Sequence, residues 1–325
     1  MKHIPDISVI IPSNQDQDAL SRLLRAVCAQ TVKPSEIVLV DSSNEGGVYP
    51  EKIGELCSVS GIKLIYEHRD IALPGGARNI GLVMAKGELI AFIDVQTIPK
   101  PNWLETNSKT LAIQGVSGIL GATCFIAQTR FERLIRDAFY GVLPRRTLPG
   151  AMFERKVFEK TGHFIDWARA GEDTEWLLRL EVLKIPIRYS SVALVDYVGL
   201  IGLDLKQILK KWYRNYIASR QLPHFMTQKL LLLLVLYPLL VLIALNWNFI
   251  VADWRMDSPM YIGHVTKITA LLPVLIYIIV RGLILPSKRG VRIWQLLPIR
   301  FLGIVTVCFM ADFVKVLAFS FPKRY

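Results

Sequence analysis

Three sets of carboxylates have surroundings that could support chemistry. Asp41 closes the apolar run of EIVLVDSSN, Asp94 closes that of ELIAFIDVQTIPKPNWLE, and Glu172 and Asp173 open the stretch GEDTEWLLR. A carboxylate at the carboxyl end of a buried strand stands where open parallel sheets bind ligands. It can hold a cation or a ribose there, or it can cap the following helix. Adjacent acids in a first helical turn suit the helix dipole, and one of them beside a reacting hydroxyl can serve as a general base. The stretch Leu73-Pro74-Gly75-Gly76-Ala77-Arg78-Asn79-Ile80-Gly81 reads as a glycine turn opening a helix. Such a turn offers backbone amides and a guanidinium to an anion, and Arg78 in a structural ion pair is the other reading. Two residues beyond Asp94 stands Gln96, an amide where a second carboxylate would complete a metal-binding strand end.

The elements that must position these groups follow from periodicity. Ile7 to Pro12 is short, β-branched and stopped by proline, and a polar loop leads to the helical pattern ALSRLLRAVCAQ, with Asp16 or Asp18 as N-cap. EIVLVD and GIKLIYEH read as further strands, the glycine turn as a helix running to about Lys86, and Glu88 to Asp94 as the fourth strand. Strands alternating with helices predict a parallel sheet with helices on both faces. Beyond Asn102 the pattern is less periodic. Ile119 to Ile126 reads as a strand, and an arginine series (Arg130, Arg133, Arg136, Arg145, Arg146) precedes a loop with Pro144 and Pro149 and a helix at FERKVFEKTG.

Composition divides the chain. Of its 325 residues 52% are hydrophobic, and the excess lies beyond Lys229. Residues 1–228 hold 28 Lys and Arg against 24 Asp and Glu, and residues 229–325 hold 11 against 3. Base flanking apolar runs fits juxtamembrane contact with anionic lipid, and it argues against a nucleic-acid groove, which would interleave base with aromatics in the soluble part. Leu230–Val251 is free of charge, and 22 residues at about 1.5 Å each cross a hydrocarbon core of about 30 Å. A second run lies around His264–Val280, with Trp247, Trp254 and Tyr261 as an aromatic belt between the two. The third, Leu296–Phe321, contains Arg300 and an i,i+3 pair, Asp312 with Lys315; it is expected to span, a re-entrant or surface helix being the alternative. The loop with Lys288, Arg289 and Arg292 is cytoplasmic by the positive-inside rule. LDLKQILKKWYRNYIASRQ is a basic amphipathic helix suited to a membrane surface or to packing on the domain. The four cysteines show neither metal spacing nor a disulfide framework, and the N-terminal apolar stretch is too short for a signal peptide. The expected organisation is a cytoplasmic α/β domain at 1–199, an interfacial region at 200–228, and spans at about 230–251, 264–285 and 296–319 in the cell's inner (plasma) membrane.

Taken in order, ISVIIPSN, EIVLVDSSN, PGGARNIG, ELIAFIDVQTIPKPNWLE and AGEDTEWLLR resemble the family 2 glycosyltransferases of the GT-A fold, over about residues 5–220. The resemblance implies a Rossmann-like, mostly parallel sheet and an inverting transfer of sugar from a nucleoside diphosphate sugar, UDP-linked by expectation. It implies that Pro12, Ser13 and Asp41 hold the base and ribose, that Arg78 lies in the diphosphate region, and that Asp94 and Gln96 are the DxD segment. In the family that segment binds Mg²⁺ or Mn²⁺ across the two phosphates, and Gln96 weakens the site by one charge. Asp173 is the implied general base, with Glu172 as orienter or acceptor contact and Glu175 and Trp176 towards the acceptor. The membrane anchor implies a lipid-linked glycan or glycolipid acceptor in envelope or exopolysaccharide synthesis. Two rivals remain: a polyprenyl-phosphate sugar synthase, whose anionic acceptor requires no base, and a non-catalytic sugar-nucleotide-binding scaffold subunit. A processive synthase would carry a QxxRW-type motif, which KKWYR at 210–214 does not match.

Overall fold

The structure, a computed structural model, describes residues 5–14, 16–43, 51–70, 72–190, 192–220, 222, 239, 242–250 and 255–320. The first half builds the expected β/α alternation. Strands Ile7–Ser13 (β1), Glu36–Asp41 (β2), Lys63–His68 (β3) and Leu89–Phe92 (β4) are separated by helices Gln17–Cys28 (α1), Glu51–Val59 (α2) and Pro74–Met84 (α3). β3, β2, β1 and β4 lie side by side and parallel, so Ser13 and Asp41 end adjacent strands in register. β1 and β2 are buried almost throughout because helices cover both faces. Of their two buried carboxylates, Glu36 at the start of β2 accepts from Ser8 Oγ at 2.7 Å and from the Lys86 amide at 2.5 Å, and Asp41 closes the same strand. Asp16 caps α1, its carboxylate accepting from Ala19 N at 3.0 Å.

The second half is mixed. It comprises Thr97–Pro99 (β5), Trp103–Gln114 (α4), Gly118–Phe125 (β6), Arg130–Phe139 (α5), Arg145–Glu154 (β7), Lys156–Thr161 (α6), Glu172–Val182 (α7), Ile187–Tyr189 (β8), Val195–Tyr197 (β9) and Leu205–Ser219 (α8). The sheet continues β4-β7-β6-β9-β5, with β7 antiparallel to both its neighbours and β8 parallel to β6. The expected loop around Pro144 and Pro149 is in fact the central strand β7. A proline inside a strand argues against a central position unless a bulge takes it up. Here the β6–β7 register shifts between Ile119 and Gly121, opposite that proline, and Gly150 adopts φ +87. The helix expected at FERKVFEKTG shrinks to α6, its first two residues belonging to β7. α4 and α5 were concealed by polar faces; α5 starts with a capping box between Thr129 and Glu132.

One core lies on each sheet face. Leu23, Leu24, Val9, Leu39 and Trp103 fill one; Ile10, Val38, Phe92, Phe153, Phe158 and Trp176 fill the other. In the second, Trp176 of α7 stacks on Phe158 at 5.1 Å and meets Phe153 edge-on at 5.1 Å. This cluster fixes α7 beneath the sheet.

Two helices among the described residues are long and apolar enough to cross a membrane, Leu271–Lys288 and Arg300–Phe319. The first includes a π-helical turn, Val280–Ile284. Most of the first apolar run (230–238, 240, 241, 251) lies outside the described residues, and 242–250 are helical. The helix Arg300–Ser320 packs Ile304, Val307 and Cys308 against α5 and α8. Asp312 is not satisfied by Lys315, as the spacing suggested, but by Arg281, whose Nη2 lies 2.5 Å away, and by Tyr277 Oη at 2.8 Å. The longer reach across helices permits a bidentate guanidinium contact that an i,i+3 lysine cannot make. Lys315 instead lies over the Tyr216 ring of α8 at 5.8 Å.

Candidate active site

A cleft of ≈ 630 Å³ opens at the carboxyl ends of β1 and β4. Pro12, Ser13, Arg78, Asp94, Glu172 and Asp173 all line it, so six residues singled out from the sequence come together there. Asp41 stands one position behind its rim. It is buried, accepts from Ser43 Oγ at 2.6 Å and from Tyr66 Oη at 3.4 Å, and leaves Ser42 to face the cleft.

The glycine turn explains how the two carboxylate sites meet. Arg78, on α3 and 4% exposed, donates from Nη1 to Glu172 Oε1 at 2.7 Å and from Nη2 to Asp94 Oδ1 at 3.0 Å. Its guanidinium lies 5.8 Å from the Phe164 ring centroid. Asn79 closes a reciprocal pair with Phe164, Nδ2 to the carbonyl at 2.8 Å and the amide to Oδ1 at 2.9 Å. Gly75 makes the close approach possible, because a Cβ there would stand 2.0 Å from the Ile165 carbonyl oxygen and 3.3 Å from Glu172 Cγ. Three residues of one turn thus bind the segment that leads into α7. With one donor of each terminal nitrogen on a carboxylate, Arg78 holds Asp94 and Glu172 in place.

The electrostatics centre on the buried pair Arg78 and Glu172, with Asp94 partly exposed beside them. Burial lowers the affinity of Arg78 for its proton, but the carboxylates of Asp94, Glu172 and Asp173 more than reverse this and raise it. Burial pushes Glu172 up; Arg78 opposes the shift and Asp173 adds to it. Tyr197 on β9 is pushed up to about 12, by burial first and then by the charge of Asp94. Its hydroxyl accepts from Lys211 Nζ at 3.2 Å.

Lys211 and Arg214 of α8, with Arg169 before α7, form the cationic wall of the cleft. Among the described residues no carboxylate makes an ion pair with any of the three. Burial, and then the like charge of Arg169, lowers the pKa of Arg214. Two arginines facing each other across a cleft suit an anion between them. The sequence reading missed Arg169 and gave Lys211 and Arg214 to a lipid-facing helix. Their spacing at i,i+3 with Asn215 beside them was the available signal of one polar face turned inward.

Gln96 lies elsewhere. Its Nε2 donates to Asp16, the cap of α1, and it lines an adjoining cavity of ≈ 620 Å³ with Gln128, Ile98 and Leu203. Among the described residues only Lys211 borders both spaces. The structure therefore does not bring Gln96 into the cleft with Asp94, because the amide finds a carboxylate closer to hand. Among the described residues no group of three or more His, Cys, Asp or Glu could hold a metal. Asp94, partly exposed in the cleft, is the one DxD carboxylate available to a cation. This fits Mg²⁺ or Mn²⁺ as ions that take one or two protein carboxylates and complete their shells with substrate phosphates and water. Trp176 is fully buried and donates to Thr161 Oγ1, and Glu175 binds Arg179, so neither lines the cleft.

Residues 8–170 match the family described as Glycosyl transferase family 2. The chain is 25% identical to glycosyltransferase AglE of Haloferax volcanii over 65% of its own length and 72% of the relative's. It is 24% identical to the pre-mycofactocin glycosyltransferase of Mycobacterium tuberculosis, over 64% of this chain but 44% of that one. Among solved structures, S. aureus TarS 1–349 in complex with UDP-GlcNAc superposes with a TM-score of 0.46 at 13% identity, covering 94% of this chain and 91% of that chain.

Proposed function

Because this chain belongs to glycosyl transferase family 2 and is a glycosyltransferase, we propose that it is a membrane-anchored inverting enzyme. It moves a sugar from a nucleoside diphosphate donor, UDP-linked, to a hydroxyl of a lipid-linked glycan or glycolipid. The observation behind this reading is the Arg78 bridge, which ties the strand end at Asp94 to the helix start at Glu172 and sets Asp173 on the wall of the same cleft. The anchor rests on the two apolar helices Leu271–Lys288 and Arg300–Phe319, with the catalytic domain on the cytoplasmic side of an inner (plasma) membrane.

In this mechanism Pro12, Ser13 and Ser42 bind the nucleoside at the ends of β1 and β2, with the buried Asp41 behind Ser42 holding that strand end in place. Arg169, Arg214 and Lys211 hold the diphosphate and offset the charge that grows on it as the glycosidic bond breaks. Asp94 would hold Mg²⁺ or Mn²⁺, which supplies Lewis-acid stabilisation to the leaving diphosphate. Asp173 takes the proton of the acceptor hydroxyl as it attacks from the face opposite the leaving group, so the anomeric configuration inverts. Glu172, held by Arg78, fixes the first turn of α7 and thereby the aim of its neighbour.

Purified full-length protein in bilayers, assayed with a panel of sugar nucleotides, tests the reading. Asp173→Asn is expected to lower kcat by roughly 10²–10⁴-fold while UDP affinity, measured by calorimetry, stays within about twofold. Full turnover in that variant would favour a phosphate acceptor that requires no base. UDP binding without transfer to any acceptor by the wild type would favour a scaffold.

A further inference from the structure

A second surface, none of whose residues lines the cleft, is built from two segments distant in sequence. Residues 139–153 and 282–311 together carry six Lys and Arg and no Asp or Glu. The segments are joined by backbone: Val142 N and Leu143 N donate to the Arg289 carbonyl at 3.0 and 3.1 Å. Two glycines permit this, Gly141 at φ +80 and Gly290 at φ +88; a Cβ at Gly141 would lie 2.2 Å from Arg289 Cβ, and one at Gly290 would lie 2.6 Å from Leu143 Cγ. Of the six cations, Arg300 is neutralised by Asp137 and Arg289 is spent on the Ala138 carbonyl at 2.6 Å. Arg145, Arg146, Lys288 and Arg292 remain exposed, Arg145 with one nitrogen on the Phe139 carbonyl at 2.7 Å and Arg146 at 3.6 Å over the Tyr189 ring, and among the described residues no carboxylate forms an ion pair with them. Between them stand apolar side chains open to the exterior, with Trp294 70% exposed, Ile299 74% and Leu143 53%. Arg292 lies over the Trp294 ring at 5.3 Å, an amphipathic pair suited to a headgroup layer. The strip is also continuous with both apolar helices, one ending at Lys288 and the other starting at Arg300.

We propose that this basic and aromatic strip, Arg145, Arg146, Lys288, Arg292 and Trp294, is a docking surface for the anionic headgroups of the bilayer. The inference rests on the membrane-anchored reading, and the charge sign and the position at the mouths of both helices select the occupant. Four cations within reach of an anionic surface each contribute about 1 kcal/mol, about fivefold in partitioning. The strip would press the β6–β7 side of the catalytic domain onto the membrane, independently of the helices that anchor it.

The test uses the full chain in phosphatidylcholine bilayers doped with phosphatidylglycerol brominated on its acyl chains, or with brominated phosphatidylcholine at the same fraction. Trp294 emission is isolated by subtracting the Trp294→Phe protein. Brominated phosphatidylglycerol is expected to quench it more strongly, and Arg145→Gln with Arg292→Gln to lower that preference by about twentyfold or more, from fivefold for each charge. Both are exposed residues outside the catalytic cleft, so donor binding is expected to persist and report a folded protein. Equal quenching by the two lipids, in protein that resists alkaline carbonate extraction, overturns the docking surface alone. Release by carbonate overturns the anchoring on which it rests.

Discussion

Removal of the Arg78 guanidinium would strand the buried carboxylate of Glu172 and free that of Asp94. Arg78→Ala is expected to destabilise the protein by roughly 3–5 kcal/mol, the usual loss when one partner of a buried ion pair is deleted. Arg78→Lys is not conservative, since one ammonium cannot span two carboxylates as the guanidinium fork does; it should fold, as read in denaturant unfolding, and still lose most transfer activity. The Glu172 shift has a signature in pH. Its folded pKa is raised, so between the ordinary glutamate value of about 4.3 and the raised one the native state binds the extra proton. Stability therefore falls as pH rises through that window, and Glu172→Gln should flatten the slope. Gln96→Asp sets a carboxylate against Asp16. Melting curves should show a loss of roughly 1 kcal/mol, with Mn²⁺ affinity unchanged, in contrast to a DxD repair. The sequence identified the carboxylates because strand ends and helix starts are local features. It could not show that Arg78 bridges them or that Gln96 turns away, because both depend on which side chain lies nearest in space.

The glycine turn of α3 separates what a pattern predicts from what packing requires. Both Gly75 and Gly76 read as parts of a tight turn, yet their surroundings differ. A Cβ at Gly75 would meet the Ile165 carbonyl oxygen at 2.0 Å, whereas the nearest atom to one at Gly76 is 3.6 Å away. Gly75→Ala should therefore depress activity by tenfold or more, about 1.4 kcal/mol in the barrier, while Gly76→Ala stays near wild type. Steady-state kinetics on the pair checks this directly. Among the elements, β1, β2 and β4 were legible because strands buried on both faces are plain apolar runs, and the edge strand β3 because its apolar centre, Leu64 to Tyr66, packs on the core. β7 was not, because Pro149 falls at a register shift that only the partner strand β6 reveals. α8 was expected either to lie on a membrane surface or to pack on the domain, and the structure shows it packed. Its apolar face, with Ile208 and Trp212, packs on α5 and the Arg300–Ser320 helix, and its basic face closes the cleft. An amphipathic pattern specifies two faces without saying which neighbour each will meet.

At the scale of the whole molecule, the apolar half is not an appendage. Asp137, 1% exposed, sits between Arg136 at 3.0 Å and Arg300 at 2.5 Å, joining α5 to the start of the helix Arg300–Ser320. The two arginines are partly exposed, so the loss expected for Asp137→Ala is moderated by solvent to roughly 1–3 kcal/mol, measurable as a lower midpoint of thermal unfolding in detergent. The two apolar helices themselves differ. Leu271, Leu272, Val274, Leu275 and Ile276 leave a broad face of the first exposed, which requires lipid or further protein, whereas among the described residues the second shows a narrower stripe at Leu302, Phe309 and Phe313. One face of α8 rests on this second helix and the other carries Lys211 and Arg214 into the cleft. The consequence is one of timing during synthesis. The residues assigned to base, sugar and proton leave the ribosome before residue 220, but the helix that backs α8 follows some eighty residues later. A nascent chain would thus hold an incomplete donor site until its own membrane segment has been made and seated.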